Sequence, residues 1–126
     1  MRPILKTTTL SMADAEAEIR RSLSEQGFGV LTEIDVAATL LTKLGIEREP
    51  MKILGACNPT FADRALRLDP TVALLLPCNV VVSASNGTTT IRAVDPRDLM
   101  PSGEFDELTT EVAHRLQTAV DAVPAG

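Results

Sequence analysis

The tetrapeptide Ser85-Asn86-Gly87-Thr88 constrains this chain more than any other stretch. Asn and Gly both accept the positive φ that tight hairpin turns demand, so Asn-Gly between two strand-like runs is the strongest short hairpin signal. The flanking runs are present. Thr71 to Ala84 reads as one long apolar strand, and Thr89 to Val94 as its antiparallel partner. Pro77 interrupts the first run. Proline offers no ladder donor, so the strand must have an edge, a bulge or a break at that point.

The remaining elements follow from periodicity and caps. Residues 3–10 (PILKTTTL) suit a strand. Ser11 opens a helix with Asp14 three residues on, a weak capping box. Met12, Ala15, Ile19 and Leu23 fall at helical spacing, and Gly27 suits the end. Phe28 to Ile34 reads as a strand with Phe28, Val30, Thr32 and Ile34 on one side. Asp35 can cap a short helix, VAATLLTKL, which Gly45 ends. Met51 to Cys57 is an apolar strand. Asn58 at the cap and Pro59 at the first helical position start the helix TFADRALRL, which Asp69-Pro70 stops. Asp95-Pro96 ends the hairpin. The last helix starts near Ser102, and Phe105, Leu108, Val112, Leu116, Ala119 and Val123 form its apolar stripe.

Strands are not regularly separated by crossover helices, and one pair is a hairpin. The fold class expected is α+β, a mostly antiparallel sheet with helices packed on one face. At 126 residues a single domain, 1–126, is the natural expectation. The chain is 44% hydrophobic, enough for a core, but with three Phe and neither Trp nor Tyr that core must be aliphatic. The same scarcity removes the platforms on which bases and sugars stack. Net charge is −5 and the longest basic cluster is Arg20-Arg21, so the footprint of a nucleic-acid binder is absent. No run approaches the length of a bilayer span. The N-terminal MRPILKTTTLSMADAEAE lacks a signal peptide's apolar stretch. A cytoplasmic protein with two free thiols is the expectation.

Those thiols sit in paired motifs, Ala-Cys57-Asn58-Pro59 and Pro77-Cys78-Asn79. Alternation puts Ile53, Gly55 and Cys57 on one strand face. Cys57 ends its strand just before a helix N-terminus, which lowers thiol pKa and attracts anions. It is the candidate nucleophile. The plainer reading makes it a small buried hydrophobe. Cys78 shares a face with Leu74, Leu76, Val80 and Val82 and reads as buried. Asn58 is a helix cap, whereas Asn79 inside a strand would need a partner from freed backbone, a ligand or a second subunit. Glu33 and Asp35 alternate on one face and could pair carboxylates, although Asp35 is more simply a cap. There is no CxxC, and the lone His114 falls opposite the apolar stripe of its helix, so no metal site and no cofactor are expected. No Ser-His-Asp set or phosphate loop is present; Gly27-Phe28-Gly29 is a helix end.

GFGVLTEIDV (27–36), LGI (44–46), KILGACNP (52–59), the Ala62…Ala65-Leu66 helix, Asp69-Pro70 and LLLPCNVVV (74–82) resemble the bacterial and archaeal domain-of-unknown-function family 302. The likeness is centred on residues 27–96, with compatible elements at both ends. It implies a β-α-β4-α arrangement grouped with the TATA-binding-protein-like folds, and homodimers. It implies no activity. Many members carry a larger or aromatic residue after the VVV run, where this chain has Ser83; if that position lines a pocket, the pocket is more open here.

Three functions are compatible with these residues. The first is a non-enzymatic homodimer that binds or senses a small molecule near Cys57, Asn58, Pro59, Pro77, Cys78, Asn79 and Ser83. The second is a thiol-dependent redox or transfer enzyme using Cys57, which requires a depressed thiol pKa. The third is a structural or interaction module in which the motifs build only core and interface.

Overall fold

The hairpin forms as its turn chemistry demands. In the computed structural model, which describes residues 2–126, Asn86 and Gly87 both have positive φ, 50° and 79°. They join β4 (Cys78–Ser85) to β5 (Thr88–Ala93), with Ser85 opposite Thr88 and Val80 opposite Ala93. The full order is β1 (Ile4–Thr8), α1 (Met12–Glu25), β2 (Gly29–Asp35), α2 (Val36–Leu44), β3 (Met51–Cys57), α3 (Pro59–Leu68), β4, β5 and α4 (Asp106–Asp121). One five-stranded sheet results, in the order β1-β5-β4-β3-β2, antiparallel throughout. It is the mixed α+β architecture that the hairpin and the helix signals call for.

Strand alternation divides the sheet into two unlike faces. Leu54 and Ala56 of β3, Val80 and Val82 of β4, and Ile91 and Ala93 of β5 all point to one face and are fully or almost fully buried. Against them pack Ala15, Ile19 and Leu23 of α1 and Leu108, Val112, Leu116 and Ala119 of α4, the stripes expected from helical spacing. Ser22 joins the two helices: its hydroxyl donates to the Ala119 carbonyl at 2.7 Å, in the last turn of α4 where carbonyls lack a partner further along the helix. The opposite face is bare. Leu5 is 51% and Ile34 49% exposed, with half-buried Met51, Ile53 and Val81 between them.

Four local expectations need correction. Thr71 to Ala84 is not one strand. Pro70–Leu75 is a 3-10 turn, and β4 begins at Cys78. Pro70 at its start and the Asp69 carboxylate, which accepts from the Thr71 N–H at 2.9 Å, nucleate the turn; Pro77 then stands just outside β4, as the central strand of a sheet requires. Leu74 therefore shares no face with Cys78 and is 84% exposed. The face assigned to β2 also fails, because a bulge shifts register between Val30 and Thr32. Val30 pairs with Ala56 on the helix side, while Thr32 and Ile34 fall on the bare side. Finally, the last helix starts at Asp106 rather than near Ser102, since residues 102–105 form a turn without a side-chain cap.

Candidate functional site

The end of β3 delivers Cys57 to the start of α3, and Asn58 fixes that junction. Its side-chain oxygen accepts from the Phe61 N–H, and its amide donates to the Gln26 carbonyl at the end of α1, each at 3.4 Å. Pro59 occupies the first helical position. Asn58 thus caps one helix and ties it to another. Asn58→Ala is expected to cost about 1–2 kcal/mol, the usual range for losing a strong cap. Asn58→Asp should recover part of that, since it restores the acceptor but not the donor; urea unfolding of the three proteins measures both.

Behind the junction lies a cavity of about 30 Å³. Cys57, Asn58, Phe61, Leu76, Cys78 and Met100 all contribute to its wall. Cys57 is half-exposed and Cys78 buried, and both are free thiols. The structure therefore brings together three of the candidate residues, Cys57, Asn58 and Cys78. Pro77 lies apart, packed across Gly55: a Cβ on Gly55 would overlap Thr32 Oγ1 and sit 2.8 Å from Pro77 Cγ.

Asn79 and Ser83 belong elsewhere. They pair with Gly55 and Met51 on the bare face. Asn79 is exposed, so the partner that a buried asparagine would need is supplied by solvent. Ser83 Oγ accepts from Arg92 at 3.0 Å and lines a groove of about 490 Å³ with Arg48, Ser85, Thr90 and Arg92. Among the described residues, neither arginine is paired with a carboxylate.

The electrostatics separate these places. Burial raises the Cys57 thiol above its ordinary 9.0, opposite to what a resting thiolate requires. Burial pushes Cys78 up to about 11, and the neighbouring Cys57 adds to the rise. A thiol raised in the folded state stays protonated while the unfolded chain ionises. The stability it contributes is fully present below about pH 9 and is lost as pH climbs towards 11. The expected loss is about 2–3 kcal/mol across that window, and Cys78→Ala should remove it. Unfolding midpoints in reductant on either side of the window measure the effect. Both thiols should also alkylate slowly at neutral pH, Cys78 only on unfolding.

The carboxylates flagged in the sequence are otherwise engaged. Glu33 is held below the usual range by a hydrogen bond from Lys52, which contacts it at 2.8 Å and Glu16 at 3.0 Å. Asp35 caps α2 by accepting from the Ala38 N–H at 2.9 Å. His114 is exposed. Among the described residues, no three His, Cys, Asp or Glu side chains gather as metal ligands, and no helix is long and apolar enough to cross a membrane.

Sequence reasoning did not find Met100, Arg48 or Arg92. Met100 follows a 3-10 turn (Pro96–Asp98) and reaches the cavity across many residues of chain, which no local pattern records. The alternation of β5 was the available signal for Arg92, since it places that residue on the face opposite Ile91.

No curated protein matches the chain at a significant level. In three dimensions it resembles the crystal structure of uncharacterized conserved protein DUF302 from Bacillus stearothermophilus. The two share 32% sequence identity over 95% of this chain and 96% of that one, with a TM-score of 0.89. The family described as domain of unknown function DUF302 matches residues 4–123. With Ala56, Cys57 and Asn58 of its LGACNP motif and Leu76 and Cys78 of its LLPCN motif lining one cavity, the chain belongs to the DUF302 family.

Proposed function

We propose that this domain is a homodimeric, non-enzymatic module that binds a small anionic molecule in the cytoplasm. One observation carries the reading: the sheet is covered on a single face. Its other face sets exposed apolar side chains beside a groove whose two arginines have, among the described residues, no carboxylate partner. Leu5, Ile34, Ile53 and Val81 form a surface that water does not favour, and a two-fold axis lets the same patch cover itself. Two such faces pack about 10 Å apart, as sheets do in sandwiches. The β-α-β4-α order, with α2 and α3 as additions, supports the grouping with TATA-binding-protein-like folds. That likeness carries no claim on DNA.

The ligand reading rests on size and charge. The groove at Ser83 falls within the ~300–1,000 Å³ of small-molecule sites, whereas the cavity at the two cysteines is far below it. Arg48 and Arg92 offer forked donors, and Ser83, Ser85 and Thr90 offer hydroxyls, the set that holds a phosphate or carboxylate. The thiol-enzyme reading is disfavoured by the raised Cys57 pKa.

Light scattering behind size exclusion tests the dimer. Wild type should elute at twice the chain mass and Val81→Glu at the chain mass. A monomeric wild type would sink the dimer. Native mass spectrometry and a thermal-shift panel of phosphate esters and dicarboxylates test the ligand. Stabilisation that disappears in Arg92→Ala is the expected result; indifference to the whole panel would refute an anion site.

A further inference from the structure

Helix α2 stands apart from the other three. Val36, Ala37, Leu40, Leu41 and Leu44 fall on one side of it at helical spacing, and Thr39, Thr42 and Lys43 on the other. Stripes of this kind on α1 and α4 are buried against the sheet. On α2 no residue is buried, and Leu41 and Leu44 are 51% and 65% exposed. The tether is the reason. Asp35 is both the last residue of β2 and the cap of α2, so the strand runs into the helix with no loop between them. The helix is held beside β2 and β3, its main neighbours, and adds nothing to the buried core.

The chain also carries more surface than its mass calls for. A monomeric protein of 13.5 kDa exposes about 6,500 Å². This chain exposes 7054 Å². The excess, roughly 500 Å², approaches the ~600 Å² that each partner buries in a small stable interface. A sheet face without a helix and a helix stripe without a sheet thus occur on one chain, and each is the kind of surface the other requires. We propose that α2 is an exchanged arm: its apolar stripe docks on the bare face of a second copy of this chain, at Leu5 on the β1 rim. The contact rests on the homodimer reading and adds a second, separable element to it.

The strand register carries the assignment. Ile34, Ile53, Val81, Arg92 and Leu5 stand opposite one another in turn and form one row across the bare face, from β2 to β1. Stacking two such faces about a two-fold axis along the strands reverses the strand order of the second sheet. β2 of each copy then lies over β1 of the other, while β4, the central strand, stays near the axis. That axis preserves strand direction, so both copies present the same end of the sheet together. α2 leaves β2 at that end, two residues after Ile34, and meets the partner's β1 where Leu5 closes the row at 51% exposure. Within one chain Ile34 and Leu5 are four strand spacings apart, roughly 19 Å. No carboxylate stands in the row, so the stripe meets no buried negative charge.

The test places opposite charges across the contact. Leu44→Glu and Leu5→Lys are made separately in the full chain, and dissociation constants are measured by sedimentation equilibrium. Each variant alone should dimerise roughly a hundredfold more weakly, since it presses a charge against an apolar surface. Circular dichroism should be unchanged, because both side chains are exposed in the single chain. An equimolar mixture should form a heterodimer within roughly tenfold of wild-type affinity: one contact then pairs Glu with Lys, and the other remains Leu on Leu. Leu44→Lys with Leu5→Glu should behave alike, and it replaces the first pair if either of those variants folds poorly. Wild-type dimerisation by Leu44→Glu would overturn the arm and assign the stripe to a different protein or to a membrane surface. So would a mixture no tighter than either variant alone. Neither result would touch the face-to-face dimer, which Val81→Glu tests. A monomeric wild type would overturn both.

Discussion

Gly55→Ala is expected to destabilise the chain by about 3 kcal/mol, at the upper end of what overpacking costs. The residue lies on β3, next to the central strand of the sheet. Its α-carbon is crossed on the bare face by the side chains of Thr32 from β2 and Pro77 from the entry to β4. A methyl group has nowhere to go. It would overlap Thr32 Oγ1, and it would stand 2.8 Å from Pro77 Cγ, where only a shift of β4's entry could relieve it. Thr32→Ala removes the first obstacle but not the second, so it should rescue part of the loss. A double-mutant cycle by urea unfolding should return a coupling of about 1 kcal/mol, since residues in contact are not additive. Strict additivity of Gly55→Ala and Thr32→Ala would show that the backbone, not the contact, sets the cost.

Leu116→Ala should cost about 2–5 kcal/mol, the range for truncating a large aliphatic side chain in a core that relaxes only partly. Leu116 is fully buried in the middle of α4, in the same cluster as Ile19 and Leu23 of α1. The core has only three Phe to draw on and no other aromatic ring, so its density depends on many interlocking aliphatic side chains. The informative control is Leu74→Ala. Leu74 sits in an equally apolar stretch of sequence but is 84% exposed on the 3-10 turn. Its loss should fall within about 0.5 kcal/mol in chemical denaturation. Equal costs at the two positions would contradict the break at Pro77.

That contrast also shows what can be read from a linear chain. Asn86-Gly87, Asn58-Pro59, Asp35…Gly45 and Ser11 act through backbone groups a few residues away, and each forms the turn or cap expected of it. Thr71–Leu76 misleads because its composition favours a strand. Asp69 and Pro70 stop α3 and also start the next turn, a second role that a stop signal does not announce. The bulge in β2 changes no residue type and so leaves no mark in alternation. At the candidate site, Cys57, Asn58 and Cys78 were recognisable from their motifs. Met100 and the Arg48–Arg92 groove depend on which distant segments the sheet order places side by side.

The sheet order β1-β5-β4-β3-β2 has a consequence for synthesis. Strands β2 to β5 each pair with the next in sequence, and that meander can assemble as the chain leaves the ribosome. β1 emerges first but pairs only with β5, Ile4 meeting Ala93. It must wait, edge unsatisfied, until most of the polypeptide has been made. Its last residue and the one after it wait longer still: the Thr8 hydroxyl donates to the Pro124 carbonyl at 2.7 Å and the Thr9 N–H to the Ala125 carbonyl at 2.9 Å. The first strand of the domain is thus the last to be placed, and the fold closes by joining β1 to β5 and to the segment that follows α4.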